Sequence, residues 1–413
     1  VKILVLTSRF PYPLEKGDKL RIFHQMQAIA AAGHEIVLVT FVEAPIQDRD
    51  FQQVKIFCSR IYTFPLSKFL AIQNICSHIL SKGFLWKKGR NLAFQIAYFQ
   101  NKGYQKQIEA IIEKEKPAHI YCHLTRMSEY VRHSAIPKTL DFMDAFGAGT
   151  VERAKISPLL LRPFWRWEAR QLLAYEQAIQ MDFDHTTIIS EQDKRRLPPP
   201  IENSHSGIVP KPPTVVIPNG VDTQYFSAQA RTEGASDKPE PLFDLAFIGN
   251  LGYYSNVEAA RFLVKNILPL LQHIPNLSLQ LVGARPTAEM LSWANEQVSV
   301  LGWQEDIRGA YRRSKILVAP LMHGIGQQNK ILEAMAMGVP VITTSRVNNA
   351  IGATIGTDIL VADTEGAFAK QIERLLEDVD LQKLIAKNGR DFVEKFYAWT
   401  GMTARLLALF TPN

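Results

Sequence analysis

Short apolar runs alternate along the chain with longer stretches whose apolar positions recur every three or four residues. KILVLTS and HEIVLVTF are continuous apolar runs, while LRIFHQMQAIAAAG between them has helical spacing and is followed by Gly33 as its expected C-terminal cap. A continuous run predicts a strand buried on both faces, and the longer period predicts an amphipathic helix. The first half continues with HIYCHL, KTLDFMD and HTTIIS as strands. The second half repeats the rhythm in DLAFIGNL, LSLQLVGA, VSVLGW, KILVAP, PVITTS and DILVAD, with NVEAARFLVKNILPLLQHI the first of its helical stretches. Strand and helix in alternation predict an α/β protein with two Rossmann-like, doubly wound parallel-sheet domains.

PPPIENSHSGIVPKPP and SAQARTEGASDKPEP flank TVVIPNGVD, and both are too polar and Pro-rich to bury a core. They read as surface loop and interdomain linker. The expected division is residues 1–213, an N-terminal domain, residues 214–395, a C-terminal domain, and residues 396–413, a final helix. Open α/β sheets bind ligands beyond the carboxyl ends of their strands, so the site is expected in a cleft where the two domains face each other.

Composition narrows the function classes. No apolar run approaches the ~18 residues of a membrane span, and the chain opens on a strand without a charged leader. Cys58, Cys76 and Cys122 lie far apart, so no disulfide framework is indicated. A cytoplasmic protein is expected. The sequence has no HExxH, no D-x-D at a plausible strand end and no paired Cys/His spacing, so no metal site is expected.

The net charge of +7 is unevenly placed, with no Asp or Glu between Asp50 and Glu109. In that block Lys82, Lys87 and Lys88 accompany aromatics such as Phe69, Phe84, Trp86, Phe94, Tyr98, Phe99 and Tyr104. Such a block attracts a polyanion or an anionic membrane surface, and the nearby PLLLRPFWRWEAR has the same make-up; an amphipathic helical excursion with its aromatics in the core and its lysines solvated is the competing reading. We therefore expect a peripheral position on the inner face of the membrane. No nucleic-acid motif accompanies the charge, and no nucleic-acid partner is expected.

The segment APLMHGIGQQNKILEAMAMGVPVITT carries the chemistry. A buried strand ends at Pro320, a loop with Gly326 spans 323–328, and a helix begins near Asn329. Glycine admits a ligand close to the backbone, and the N–H groups of a helix start attract an anion. Lys330 in the first turn opposes the helix dipole unless an anion sits before it. Glu333, one turn on, can accept two hydrogen bonds from a ribose diol. A nucleoside diphosphate fits both features; an ordinary helix with both side chains in solvent is the competing reading.

The same segment resembles the donor-binding motif of the family-four retaining glycosyltransferases, E-x(7)-E followed by AMA-G-PV. IPNGVD with Tyr225 and Phe226, then FIG, LVG, LGW-x-x-D and the strand ending at Pro320, follow that family's order from about Val215 to Glu377. KGDK-x-R, LLAYE and G-x-Q-N-K-x-LEAMAMG are most similar to the sugar transferases of PEP-CTERM/exopolysaccharide systems. The resemblance implies the GT-B fold, with the final helix crossing back to the N-terminal domain. It also implies sugar transfer with retention from an NDP-sugar, held as a substrate with no resident cofactor, to a carbohydrate or lipid-linked acceptor.

Carried onto this chain, Glu333 matches the second Glu of the motif and binds the ribose, whereas Ile325 stands where the first is expected. Asn250 and Asn256 stand near the positions of the family's Arg and Lys after FIG. Lys330 is then the expected cation on the leaving diphosphate, with Lys16, Lys19 and Arg21 as further candidates. Trp303 and Asp306–Ile307 fall on the loop that frames the base, and Gly326 and Asn329 complete the donor loop. Gly17 falls on the family's glycine loop, with a plain turn as the competing reading. Asp144 is the first choice and Asp141 the second for a group facing the acceptor, an N-cap role being the rival explanation. His123 ends its strand similarly, and Arg126 follows where an anionic acceptor could meet it. An NDP-sugar epimerase or hydrolase, and a non-catalytic nucleotide-sugar-binding subunit, remain as alternatives.

Overall fold

The computed structural model describes residues 1–14, 16–82, 93–200, 213–227, 242–322 and 327–410. The chain divides into one unit of Val1–Pro218 with Thr403–Asn413 and a second of Asn219–Met402.

The first unit holds a seven-stranded sheet: β1 (Lys2–Thr7), β2 (Glu35–Val42), β3 (Arg60–Pro65), β4 (His119–His123), β5 (Lys138–Asp141), β6 (His185–Ile188) and β7 (Val215–Val216), in the order β3-β2-β1-β4-β5-β6-β7. Every pairing is parallel. Ile3 to Leu6 of β1 are completely buried, as a central strand covered on both faces requires. The order reverses at β1, so β1 and β4 flank the switch point. The Gly17–Ala31 helix leads from β1 to β2 and buries Ile22, Met26 and Ile29 at helical spacing.

Two strands of this sheet went unpredicted. β3 lies inside the acid-free block, and β7 consists of two residues placed at the start of the C-terminal domain by the 213/214 boundary. Because β7 pairs with β6, the first unit runs on to Pro218. At the other end the chain rejoins the first unit at Thr403 rather than at residue 396. There Phe410 packs its ring 4.7 Å from His119 and 5.5 Å from Tyr121.

The second unit holds β8 (Phe243–Ile248), β9 (Leu279–Val282), β10 (Val298–Leu301), β11 (Ser314–Ala319), β12 (Val341–Thr343) and β13 (Leu360–Val361) in the order β10-β9-β8-β11-β12-β13, again parallel. The helical stretch predicted after β8 is not one winding. It runs as an α-helix over Tyr254–Phe262, loosens to a π turn over Leu263–Ile267 and tightens to a 3-10 turn over Leu268–Leu271. Pro269 has no N–H to continue the α ladder, and its ring crowds the preceding turn, which accounts for the change.

Among the described residues of the block from 51 to 108, Phe64, Leu66, Ile96, Phe99 and Ile108 join the first core. Phe99 is buried, and Phe64, Phe99 and Tyr104 ring Phe41 with centroids 5.6 to 6.3 Å apart. Phe94, Tyr98 and Tyr104 are partly covered, and Phe69 is exposed. Phe84, Trp86, Lys87 and Lys88 lie outside the described residues, as do the two polar segments at 201–212 and 228–241. No helix among the described residues is long and apolar enough to cross a membrane.

Candidate functional site

In the second unit, β8 and β9 are followed directly by Gly249 and Gly283, whose φ angles of +156° and +146° favour glycine. A Cβ on Gly283 would stand 1.7 Å from the Gly249 carbonyl oxygen, so these turns approach as bare backbone. The Asn329–Ala336 helix brings Lys330 to the same place. Its Nζ would lie 2.7 Å from a Cβ on Gly249, so the glycine leaves the room that the ammonium occupies. Nζ donates to Asn256 Oδ1 at 2.5 Å and sits 4.7 Å from the Phe247 ring centre. Asn256 in turn donates through Nδ2 to the Asn250 carbonyl at 2.8 Å. Burial lowers the Lys330 ammonium to about 7, with the Glu333 charge opposing.

Glu333 accepts a hydrogen bond from the buried Tyr311 hydroxyl at 2.7 Å. Burial raises its carboxyl; that hydrogen bond and Lys330 pull it back. Tyr311 had no sequence signal beyond an apolar helical position, and it is the residue that fixes the carboxylate. The helix begins without a side-chain cap from Gln328, which leaves its first N–H groups for other partners. Gln327 instead exchanges two hydrogen bonds with the backbone of Asn219, at 2.9 and 2.8 Å. This joins the two motifs IPNGVD and QQNK. Asn329 sits at the helix start, 3.4 Å from Asn219 Nδ2.

The loop expected to frame the base is ordered by charge. Arg308 forks onto Asp306 with a shortest contact of 2.7 Å and lies 4.1 Å over the Tyr225 ring. Ile307 immediately precedes the helix that Arg308 opens and packs on the core, while Trp303 is 68% exposed. Asn250 is exposed and caps its own turn by accepting from Gly252 N at 3.0 Å. Gly326 and Ile325 lie outside the described residues.

In the first unit, a cavity of about 220 Å³ lies at the carboxyl ends of the strands, lined among others by Arg9, Gly17, Asp18, Arg126, Asp144 and Phe146. Gly17 and Asp18 open the helix after β1; Leu124 and Met143, which follow β4 and β5, also line it. Both have positive φ, 71° and 64°, unusual for residues with side chains. Arg126 stacks 4.7 Å from the Phe146 ring centre, and Arg9 pairs with Asp18 at 2.7 Å. Burial pushes Asp144 up to about 6; the Asp193 charge adds to this and Arg126 opposes it.

Three sequence candidates stand elsewhere. Asp141 is completely buried and does not line the cavity: it takes Arg21 in a fork at 2.7 and 2.9 Å, Thr187 Oγ1 at 2.7 Å and His123 Nδ1 at 3.2 Å. Arg21, proposed for the diphosphate, is committed to that fork and to the Ile217 carbonyl at 2.7 Å, with no exposed surface. His123 is also buried away from the cavity lining, and its Nε2 has no partner. Lys16 is exposed, and Lys19 donates to the Tyr12 carbonyl at 3.4 Å. Among the described residues, no three His, Cys, Asp or Glu side chains stand together as a metal site.

Residues 243–378 match the family model described as Glycosyl transferases group 1. The capsular polysaccharide biosynthesis glycosyltransferase CapM of Staphylococcus aureus is 26% identical over 191 residues, 44% of this chain and 49% of that protein. Among solved structures, sucrose-phosphate synthase from Thermosynechococcus elongatus superposes with a TM-score of 0.67 at 18% identity, covering 99% of this chain and 98% of that one. The Anabaena protein HepE, solved with UDP and glucose, superposes at 0.61 with 13% identity and 98% coverage of both. These likenesses establish a GT-B fold of two α/β units, and the segment 243–378 of the second unit is similar to the group 1 glycosyl transferases.

Proposed function

We propose that the protein transfers a glycosyl group from a nucleoside diphosphate sugar to a carbohydrate or lipid-linked acceptor, with retention and without a metal, in the assembly of an envelope polysaccharide. The observation that carries this reading is the Lys330–Glu333 pair: an ammonium held against Gly249 beside an uncapped helix start, with a carboxylate fixed one turn away by Tyr311. When the bond from the sugar's anomeric carbon to the diphosphate breaks, negative charge gathers on the departing phosphate oxygen. A preorganised cation and helix N–H groups oppose that charge without reorganisation. The Glu333 carboxylate suits the two hydroxyls of a ribose. Retention rests on the family resemblance, and the polysaccharide setting on the likeness to CapM.

One nucleoside diphosphate among UDP, GDP, ADP and dTDP is expected to raise the melting temperature well above the others, since a ligand at 100 times its Kd stabilises by about 2.7 kcal/mol. With the matching sugar nucleotide, turnover is expected to be the same with and without EDTA. No shift with any of the four would remove the donor reading. Activity lost to EDTA and restored by Mg²⁺ or Mn²⁺ would remove the metal-free one.

Asp144 is the cavity group proposed to face the acceptor. With its carboxyl pushed up to about 6, transfer is expected to fall as pH drops below that value, while Asp144→Asn lacks this acid limb and transfers at least about tenfold more slowly. A wild-type pH profile and acceptor KM in Asp144→Asn would take the residue out of the reaction.

A further inference from the structure

The helices Phe146–Ile156 and Arg162–Ile179 of the first unit form a hairpin whose tip is apolar and uncovered. Leu159, Leu160 and Leu161 make a 3-10 turn at the tip and are 74%, 93% and 51% exposed; Ile156 before it and Phe164 after it are exposed as well. Single exposed apolar residues are ordinary, but a contiguous set of five marks an interaction surface. Hydrogen bonds hold the tip in shape: Ser157 Oγ donates to the Arg153 carbonyl at 2.7 Å, Leu161 N to the Pro158 carbonyl at 2.9 Å and Arg162 Nε to the Ser157 carbonyl at 3.0 Å. The leucines are therefore presented on a formed turn.

Cations surround it. From 152 to 170 the chain carries Arg153, Lys155, Arg162, Arg166 and Arg170 against Glu152 and Glu168. Glu168 is buried, accepting from the N–H groups of Phe94 and Gln95 at 2.9 and 3.0 Å, so it does not offset the cations at the surface. The short turn it caps extends the apolar area, with Phe94 stacked 5.6 Å from Phe164 and tilted against Trp167 at 5.0 Å. Arg153 lies 3.7 Å over the Trp165 ring.

We infer that this hairpin tip seats the protein on an anionic lipid bilayer. The leucines and Phe164 enter the boundary between headgroups and acyl chains, and the arginines meet the lipid phosphates, Lys155 being paired with Glu152 at 3.0 Å. The charge argues against a second copy as the occupant, since apposing two such tips would bring five cations against five. The surface stands apart from Lys330 and Asp144 in sequence and role, and it requires no particular donor chemistry.

The test is sedimentation of the full chain with phosphatidylcholine vesicles containing 0 or about 30% phosphatidylglycerol, a composition chosen to make the leaflet clearly anionic. Binding is expected with the anionic vesicles and to weaken as salt rises. Leu160→Asp with Leu161→Asp is expected to lower the partition coefficient at least about tenfold. Arg166→Glu with Arg170→Glu, both exposed, is expected to do the same while keeping every leucine and the Arg162–Ser157 bond that shapes the tip. All are surface positions, so melting temperature and turnover on a water-soluble acceptor should hold in both variants, which separates a failed surface from a failed fold. Equal recovery with neutral and anionic vesicles, or wild-type binding by either variant, would overturn the inference. So would a wild-type dimer in size-exclusion chromatography that the leucine variant converts to monomer, since the tip would then be a protein interface.

Discussion

Lys330→Ala is expected to lower kcat about 100-fold, or roughly 2.7 kcal/mol of transition-state stabilisation. The ammonium lies in a notch that Gly249 leaves open and is oriented by a single hydrogen bond to Asn256. A cation that meets charge appearing as the diphosphate departs contributes more to the transition state than to the ground state, so its loss falls mainly on kcat. Glu333→Ala, by contrast, removes a contact made equally before and during reaction, and the donor KM should rise. Lys330 also links binding to pH. Burial lowers it to about 7 in the free protein, whereas a bound diphosphate favours the charged form, so complex formation takes up a proton. Affinity is then level below about pH 7 and falls above it, with a limiting slope of about tenfold per pH unit. Calorimetric titration in buffers of different ionisation heat measures the proton directly. The side chain carries a burial cost, so Lys330→Met should melt no lower than the wild type while losing turnover. A kcat within about threefold of wild type in Lys330→Ala would place the leaving group's partner elsewhere.

The parts of this architecture that were legible in the sequence are those with a continuous local signal. Buried parallel strands such as Ile3–Leu6 and Ile316–Ala319 announce themselves as apolar runs, and the helix start at Asn329 follows its loop where the sequence placed it. β7 was not legible as part of the first sheet, because two residues of extended chain do not say which sheet they join; only the pairing of Thr187 with Val215 does. β3 was hidden because its exposed Arg60 and partly covered Tyr62 looked like the rest of a basic, aromatic block, although both bind Glu115, at 2.8 and 2.7 Å. The cavity in the first unit was half read. Gly17 and Asp144 were named from motif position and Arg126 from its place just after His123, whereas Arg9 and Asp18 were missed because their pairing is a tertiary fact. Arg21 and Asp141 were named for the wrong work for the same reason. In sequence, a cation in a loop motif and a carboxylate at a strand end look available, and nothing in either segment shows that they neutralise each other 120 residues apart.

That pair supports the second large effect: Asp141→Ala or Arg21→Ala is expected to destabilise the first unit by about 3–5 kcal/mol, since either leaves a buried charge without its partner. For a unit of this size the melting temperature should fall on the order of 10 °C. Both side chains are completely buried, and the guanidinium forks onto the carboxylate while its remaining arm holds the Ile217 carbonyl. The ion pair thus pins the Gly17–Ala31 helix to β5 and to the backbone just after β7. Burial alone would raise the Asp141 carboxyl, but Arg21 and the His123 hydrogen bond hold it well below the usual carboxylate range. A carboxyl whose folded pKa is depressed contributes stability that is complete above its unfolded value of about 3.9 and is lost as pH falls below it. Wild-type stability should therefore decline more steeply below about pH 4 than that of Asp141→Asn, which is already uncoupled there. The paired replacement Arg21→Met with Asp141→Leu removes both charges at similar volume and should recover much of the loss, short of the hydrogen bonds that Thr187 and His123 give up. Because the same helix begins with Gly17 and Asp18 at the cavity, the single variants that still fold should also turn over more slowly than their melting temperatures alone require. Denaturant unfolding of the wild type, Arg21→Met, Asp141→Leu and the paired variant decides the matter through the coupling energy of that cycle. Single variants within about 1 kcal/mol of wild type, or losses that simply add in the double variant, would mean that the helix is positioned by its apolar face alone.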